Sequence, residues 1–80
     1  MLCEIKDNIM RQVYHNRKSF VDTYELSPEY KPEDVKTAIS DLLNLGLITK
    51  EDSKLKITSQ GETFCLTSSF CVESKPIVEA

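Results

Sequence analysis

The sequence predicts a small, mainly α domain that carries a β-hairpin. Three observations predict it. Apolar residues recur at helical spacing over residues 2–15 and again over 33–45; the second run stops on Gly46; and residues 54–58 alternate polar and apolar with period two. Eighty residues make one domain. A chain of this length buries only about 60% of its unfolded surface, so its margin of stability is thin.

The first helix is expected from Leu2 to about His15. Leu2, Ile5, Ile9 and Val13 fall within a narrow arc at 100° per residue, with Met10 and Tyr14 flanking them. Asn16-Arg17-Lys18 ends the pattern and puts positive charge where the helix dipole favours it. Residues 19–26 allow two readings. Ser19-Phe20-Val21-Asp22 is either a capping box opening a short helix, or a brief strand feeding a helix over residues 22–26. In both readings Phe20, Val21, Tyr24 and Leu26 supply core. Ser27 to Pro32 is a connector with two prolines and no apolar period. A helix then runs from about 33 to 45. Pro32, Glu33 and Asp34 suit its start, Val35, Ala38, Ile39, Leu42, Leu43 and Leu45 fill one face, and Gly46 supplies a left-handed cap. Residues 47–50 and 54–58, separated by Glu51-Asp52-Ser53, read as the hairpin. Thr58 to Glu62 reads as the cap and first turn of a last helix, slightly weakened by Gly61. Residues 67–80 form an arm, strand or tail rich in apolar residues, either folded over the core or extended into a dimer.

Several function classes fall away. No apolar run approaches the roughly 18 residues of a membrane span. The acidic start lacks a signal-peptide core, so the expected setting is cytoplasmic. Three cysteines, Cys3, Cys65 and Cys71, make no closed disulfide framework, and without C-x-x-C pairs and with His15 the single histidine their spacing does not point to a zinc site. They are expected as reduced thiols, with Cys71 able to crosslink two chains in air. There is no phosphate-cradling glycine loop and no nucleophile elbow. The expectation is a protein that is not an enzyme, with no catalytic residues, metal or cofactor.

The order of elements resembles the winged helix-turn-helix superfamily. The residues that carry the resemblance are Val35, Ile39 and the run Leu42-Leu43-Asn44-Leu45-Gly46-Leu47-Ile48-Thr49-Lys50, followed by Leu55-x-Ile57-Thr58-Ser59-Gln60-Gly61-Glu62. In that superfamily the first run ends the helix before the wing, and "L-T-x-x-G" closes the wing; here Ile57 replaces the leucine. The resemblance implies a winged-helix domain over residues 1–66, with a three-helix core and a wing, and a C-terminal arm over 67–80.

The resemblance also implies a DNA-binding transcription regulator, with the helix 33–45 in the major groove and the wing on the backbone. Lys36, Thr37, Ser40 and Asn44 would be the reader residues, and Lys50, Lys54 and Lys56 the wing contacts. Asn44 suits adenine, and Lys36 suits guanine or phosphate. The charge map pulls the other way. Residues 1–18 carry net +2, residues 19–49 net −4 and residues 50–80 net −1, within a total of −3. The reader helix has one cation against Glu33, Asp34 and Asp41. DNA affinity comes largely from cations that neutralise phosphates. A second basic patch gathers Arg11, His15, Arg17 and Lys18. The competing expectation is therefore a protein-interaction module that docks through Glu33, Asp34 and Asp41 or through the apolar arm. A homodimer through that arm is compatible with either.

Overall fold

The first apolar stripe becomes helix α1, Leu2–His15, in a computed structural model that describes residues 2–23, 29–71 and 75–78. Ile5, Ile9 and Val13 are buried as expected. Met10, expected at the edge, is wholly buried, and Leu2 is exposed at the first helical residue, where no preceding turn covers it. The chain then enters strand β1, Val21–Asp22. This resolves the first half of the open segment as strand; the helix expected over 22–26 lies largely outside the described residues. Val21 turns inward, and the two-residue period turns Phe20 outward. Phe20 is 45% exposed, so it is not the core residue expected.

Helix α2 spans Pro32–Asn44. Proline fits its first position because that N–H has no partner inside the helix, and Glu33 and Asp34 complement the positive end. Its C-terminus closes in a Schellman pattern. The Gly46 N–H donates to the Leu43 carbonyl at 3.1 Å, and the Leu47 N–H donates to the Leu42 carbonyl at 3.1 Å. Gly46 has φ +75°, the conformation that glycine adopts without a Cβ clash. Leu42 and Leu47 are both buried across this turn. Leu45 caps the helix at 56% exposure, so it drops out of the apolar face on which it was expected.

Strands β2, Ile48–Glu51, and β3, Lys54–Ile57, form the expected hairpin. Glu51 pairs with Lys54 across a two-residue turn in which Asp52 has φ +54°. Asp tolerates that left-handed conformation better than most residues. β1 pairs antiparallel with β3, giving a three-stranded sheet of order β1-β3-β2 rather than a hairpin alone. Ile48, Leu55, Ile57 and Val21 face the helices.

Helix α3, Ser59–Thr67, begins on the expected cap. The Thr58 hydroxyl accepts the Gly61 N–H at 3.0 Å and donates to the Gly46 carbonyl at 2.7 Å. One side chain thus satisfies the start of α3 and the turn after α2. Gly61 is more than a weak helix residue. A Cβ there would collide with the Leu47 carbonyl oxygen, so glycine permits the close approach of α3 to the hairpin.

The arm after α3 folds back on the same chain. Ile77 is 8% exposed and joins the core; its N–H donates to the Ser68 carbonyl at 3.0 Å, and the Val78 N–H donates to the Cys65 carbonyl at 2.9 Å. Cys3 and Cys71 form a disulfide with Cα atoms 5.2 Å apart. The expectation of three reduced thiols, and of Cys71 as a link between chains, is corrected accordingly. The pairing was hidden because the two residues stand 68 apart and meet only when the arm crosses α1.

Candidate nucleic-acid interface

Helix α2 turns Ala38, Ile39 and Leu42 into the core, and this fixes its outer face. At 100° per residue, Glu33, Thr37, Ser40 and Asn44 share one exposed stripe. Lys36 borders that stripe on one side, and Asp34 and Asp41 lie together on the other. The Asp41 carboxylate meets the Lys6 ammonium of α1 at 3.2 Å. The sequence count of one cation against three anions therefore overstates the acidity of the face. Asp41 is half-buried and ion-paired at its flank, and Glu33 and Asp34 sit in the first turn. From Lys36 to Asn44 the exposed polar groups are one cation, two hydroxyls, an amide and the ion-paired, partly exposed Asp41 carboxylate. The Thr37 hydroxyl donates to the Glu33 carbonyl at 3.0 Å, so its oxygen is offered outward as an acceptor.

The hairpin lysines do not form one cluster. Lys54 and Lys56 lie on the outer face of the sheet, because Leu55 and Ile57 between and beside them are buried. Lys50 pairs with Leu55 and so shares the opposite face, exposed near the hairpin tip. Lys54 stands in register between Asp22 on β1 and Glu51 on β2. Two flanking carboxylates offset its charge. Lys56 is half-buried, with its ammonium 5.5 Å from the centre of the exposed Phe20 ring. The outer face thus joins an aromatic ring and two lysines to two acids.

The basic patch at the end of α1 is a shallow depression of about 250 Å³ lined by His15, Asn16, Arg17, Lys18 and Ser19. Arg17 is committed within the chain. Its guanidinium donates to the Tyr14 carbonyl at 3.2 Å, lies 4.7 Å from the Tyr14 ring centre, and approaches the Glu62 carboxylate at 3.9 Å. Arg11 and Lys18 remain exposed.

Sequence reading missed one polar residue altogether. Asp7 lies in the buried arc of α1, and its carboxylate accepts the N–H groups of Phe70 at 2.7 Å and Cys71 at 3.2 Å. The only signal was a charged residue two positions from Ile5 and Ile9, which by itself reads as a helix edge. The third cysteine, Cys65, is wholly buried, and its thiol donates to the Met10 carbonyl at 3.7 Å. Burial, helped by Asp7 and Glu62 and opposed by Arg11, pushes that thiol up to about 11. A thiol held neutral in this way is a poor nucleophile. Among the described residues no three His, Cys, Asp or Glu side chains converge as a metal set. No described helix is long and apolar enough to cross a membrane. No family model, curated protein or solved structure matches the chain.

Proposed function

We propose that this chain is a small winged-helix DNA-binding transcription regulator that reads the major groove with α2 and touches the backbone with the β2–β3 wing. The observation that carries the reading is the outer stripe of α2. It places Lys36, Thr37, Ser40 and Asn44 side by side, and the Asp41 carboxylate at their flank is paired with Lys6. The element order supports the same reading: a strand between the first two described helices pairs with the hairpin, and the hairpin follows α2 directly through Gly46. In this reading Asn44 pairs with adenine, Lys36 meets guanine or a phosphate, and Thr37 and Ser40 serve either. Lys50, Lys54 and Lys56 contact phosphates, with Lys54 contributing least because of Asp22 and Glu51.

The test is selection of binding sites from random duplexes by the wild type, Asn44→Ala and Lys50→Ala. Asn44→Ala is expected to relax preference at one base position, at a cost of about 1–3 kcal/mol. Lys50→Ala is expected to weaken all duplexes alike. Loss of preference in neither variant would remove α2 as the reader. A second reading, a protein-docking module, is favoured by the acids that flank Lys54 and by Glu33 and Asp34 at the start of α2. It makes the opposite prediction: no DNA binding at low salt, and a partner whose capture depends on Asp34.

A further inference from the structure

We propose that the Cys3–Cys71 pair is a reversible thiol–disulfide exchange site, and that its redox state docks or releases the described parts of the arm, residues 68–71 and 75–78. The bond lies at the rim of the fold. Both cysteines are only half-buried, and neither belongs to the buried core. Among the described residues, Ile77 is the one fully buried core residue from the arm, and Phe70 and Val78 pack against the core partly buried. The other buried core residues come from α1, β1, α2, β2, β3, α3 and Leu47. Opening the bond therefore removes a tether from the edge and leaves the core in place.

Besides Ile77 and the Val78 N–H bond to the Cys65 carbonyl, a group of described attachments gathers around Asp7. Asp7 accepts the two N–H groups of Phe70 and Cys71, and the Phe70 ring lies 4.7 Å from that of Phe64. Lys6 links the arm to α2. Its ammonium lies 5.3 Å from the Phe70 ring centre and 3.2 Å from Asp41. Undocking the arm removes the ring from Lys6 and leaves the Asp7 carboxylate without its two donors. The third thiol does not interfere. Cys65 is wholly buried and held neutral, so it cannot readily scramble the pair.

The exchange partner is a dithiol, either a small molecule or a redox protein. One of its thiolates attacks the Cys71 sulfur, the Cys3–Cys71 bond breaks, and Cys3 leaves as a thiolate. Cys3 lies in the first turn of α1, where the helix dipole stabilises negative charge. The second thiol of the dithiol then attacks the mixed disulfide, closes the reductant's own disulfide and releases Cys71. Two electrons pass to the pair, and the two protons of the dithiol end on the cysteine thiols or in solvent.

The experiment equilibrates the air-oxidised full chain in graded oxidised and reduced dithiothreitol, labels thiols with N-ethylmaleimide, and locates them by mass spectrometry. Cys3 and Cys71 are expected to label together while Cys65 stays protected until denaturant is added. Amide exchange at Ser68–Cys71 and Ile77–Val78 is expected to accelerate by about tenfold or more on reduction, with α2 and the hairpin unchanged. Cys71→Ser should reproduce that pattern without reductant. Three free thiols in the oxidised sample would overturn the proposal. So would labelling of Cys65 in step with the other two, which would make the bond a staple whose loss unfolds the chain. Arm exchange that ignores both reduction and Cys71→Ser would overturn it equally.

Discussion

Gly61 has no side chain at the point where α3 passes the Leu47 carbonyl, and an alanine there must displace backbone. Alanine gains about 1 kcal/mol of helix propensity. Forcing α3 away from the hairpin costs about 3 kcal/mol. Gly61→Ala is therefore expected to lose roughly 2 kcal/mol in urea unfolding, and a stabilised variant would contradict the close approach. Cys65 gives a pH test. Its thiol is raised from 9.0 to about 11, so the folded chain holds that proton more tightly than the unfolded chain does. The stability this contributes is whole below pH 9.0 and is lost as the pH rises through about 11. Unfolding curves of wild type and Cys65→Ala should converge over that window, because the wild type falls more steeply. Parallel curves would show that burial does not hold the thiol neutral.

The second helix, its glycine and the hairpin were legible because each signal is local. Gly46 follows the last apolar position, Thr58 stands three residues before Gly61, and the period of two is visible over residues 54–58. What could not be read depends on partners far away in the chain. Asp7 finds its donors 63 and 64 residues later, and Cys3 finds Cys71 after 68. Lys6 neutralises Asp41 on another helix, which is why counting charges along α2 alone gave too acidic a face. Two tests belong to these links. Asp7→Asn keeps the shape but turns an N–H toward a donor, with an expected loss of about 1–3 kcal/mol. In a Cys71→Ser background the same change should cost less, because both groups hold one turn of the arm. Lys6→Ala should weaken DNA binding about fivefold, through about 1 kcal/mol of unmasked repulsion. Asp41→Asn in that variant should restore it. Binding indifferent to both would detach the ion pair from the reader face.

The whole chain is a thin domain closed by a long covalent loop. Chain entropy over a loop of 68 residues corresponds to about 4 kcal/mol, a large share of the stability of an 80-residue domain. Reduction is thus expected to lower the melting temperature by on the order of 20 °C while the chain stays folded at room temperature. Calorimetry with and without dithiothreitol reads this directly. On the proposed reading, the net charge of −3 requires DNA affinity to come from a local arrangement of lysines and helix donors, set against an overall repulsion. The measurement that tests this most directly is fluorescence anisotropy of the oxidised protein with a labelled duplex pool that includes the DNA upstream of its own gene. It is made at about 50 and about 200 mM salt. Binding at the lower salt is expected, weakening by about tenfold or more at the higher, as the release of a few phosphate counterions requires. No binding at the lower salt, where the phosphate attraction is strongest, would contradict the regulator and turn attention to Glu33 and Asp34 as a protein-docking face.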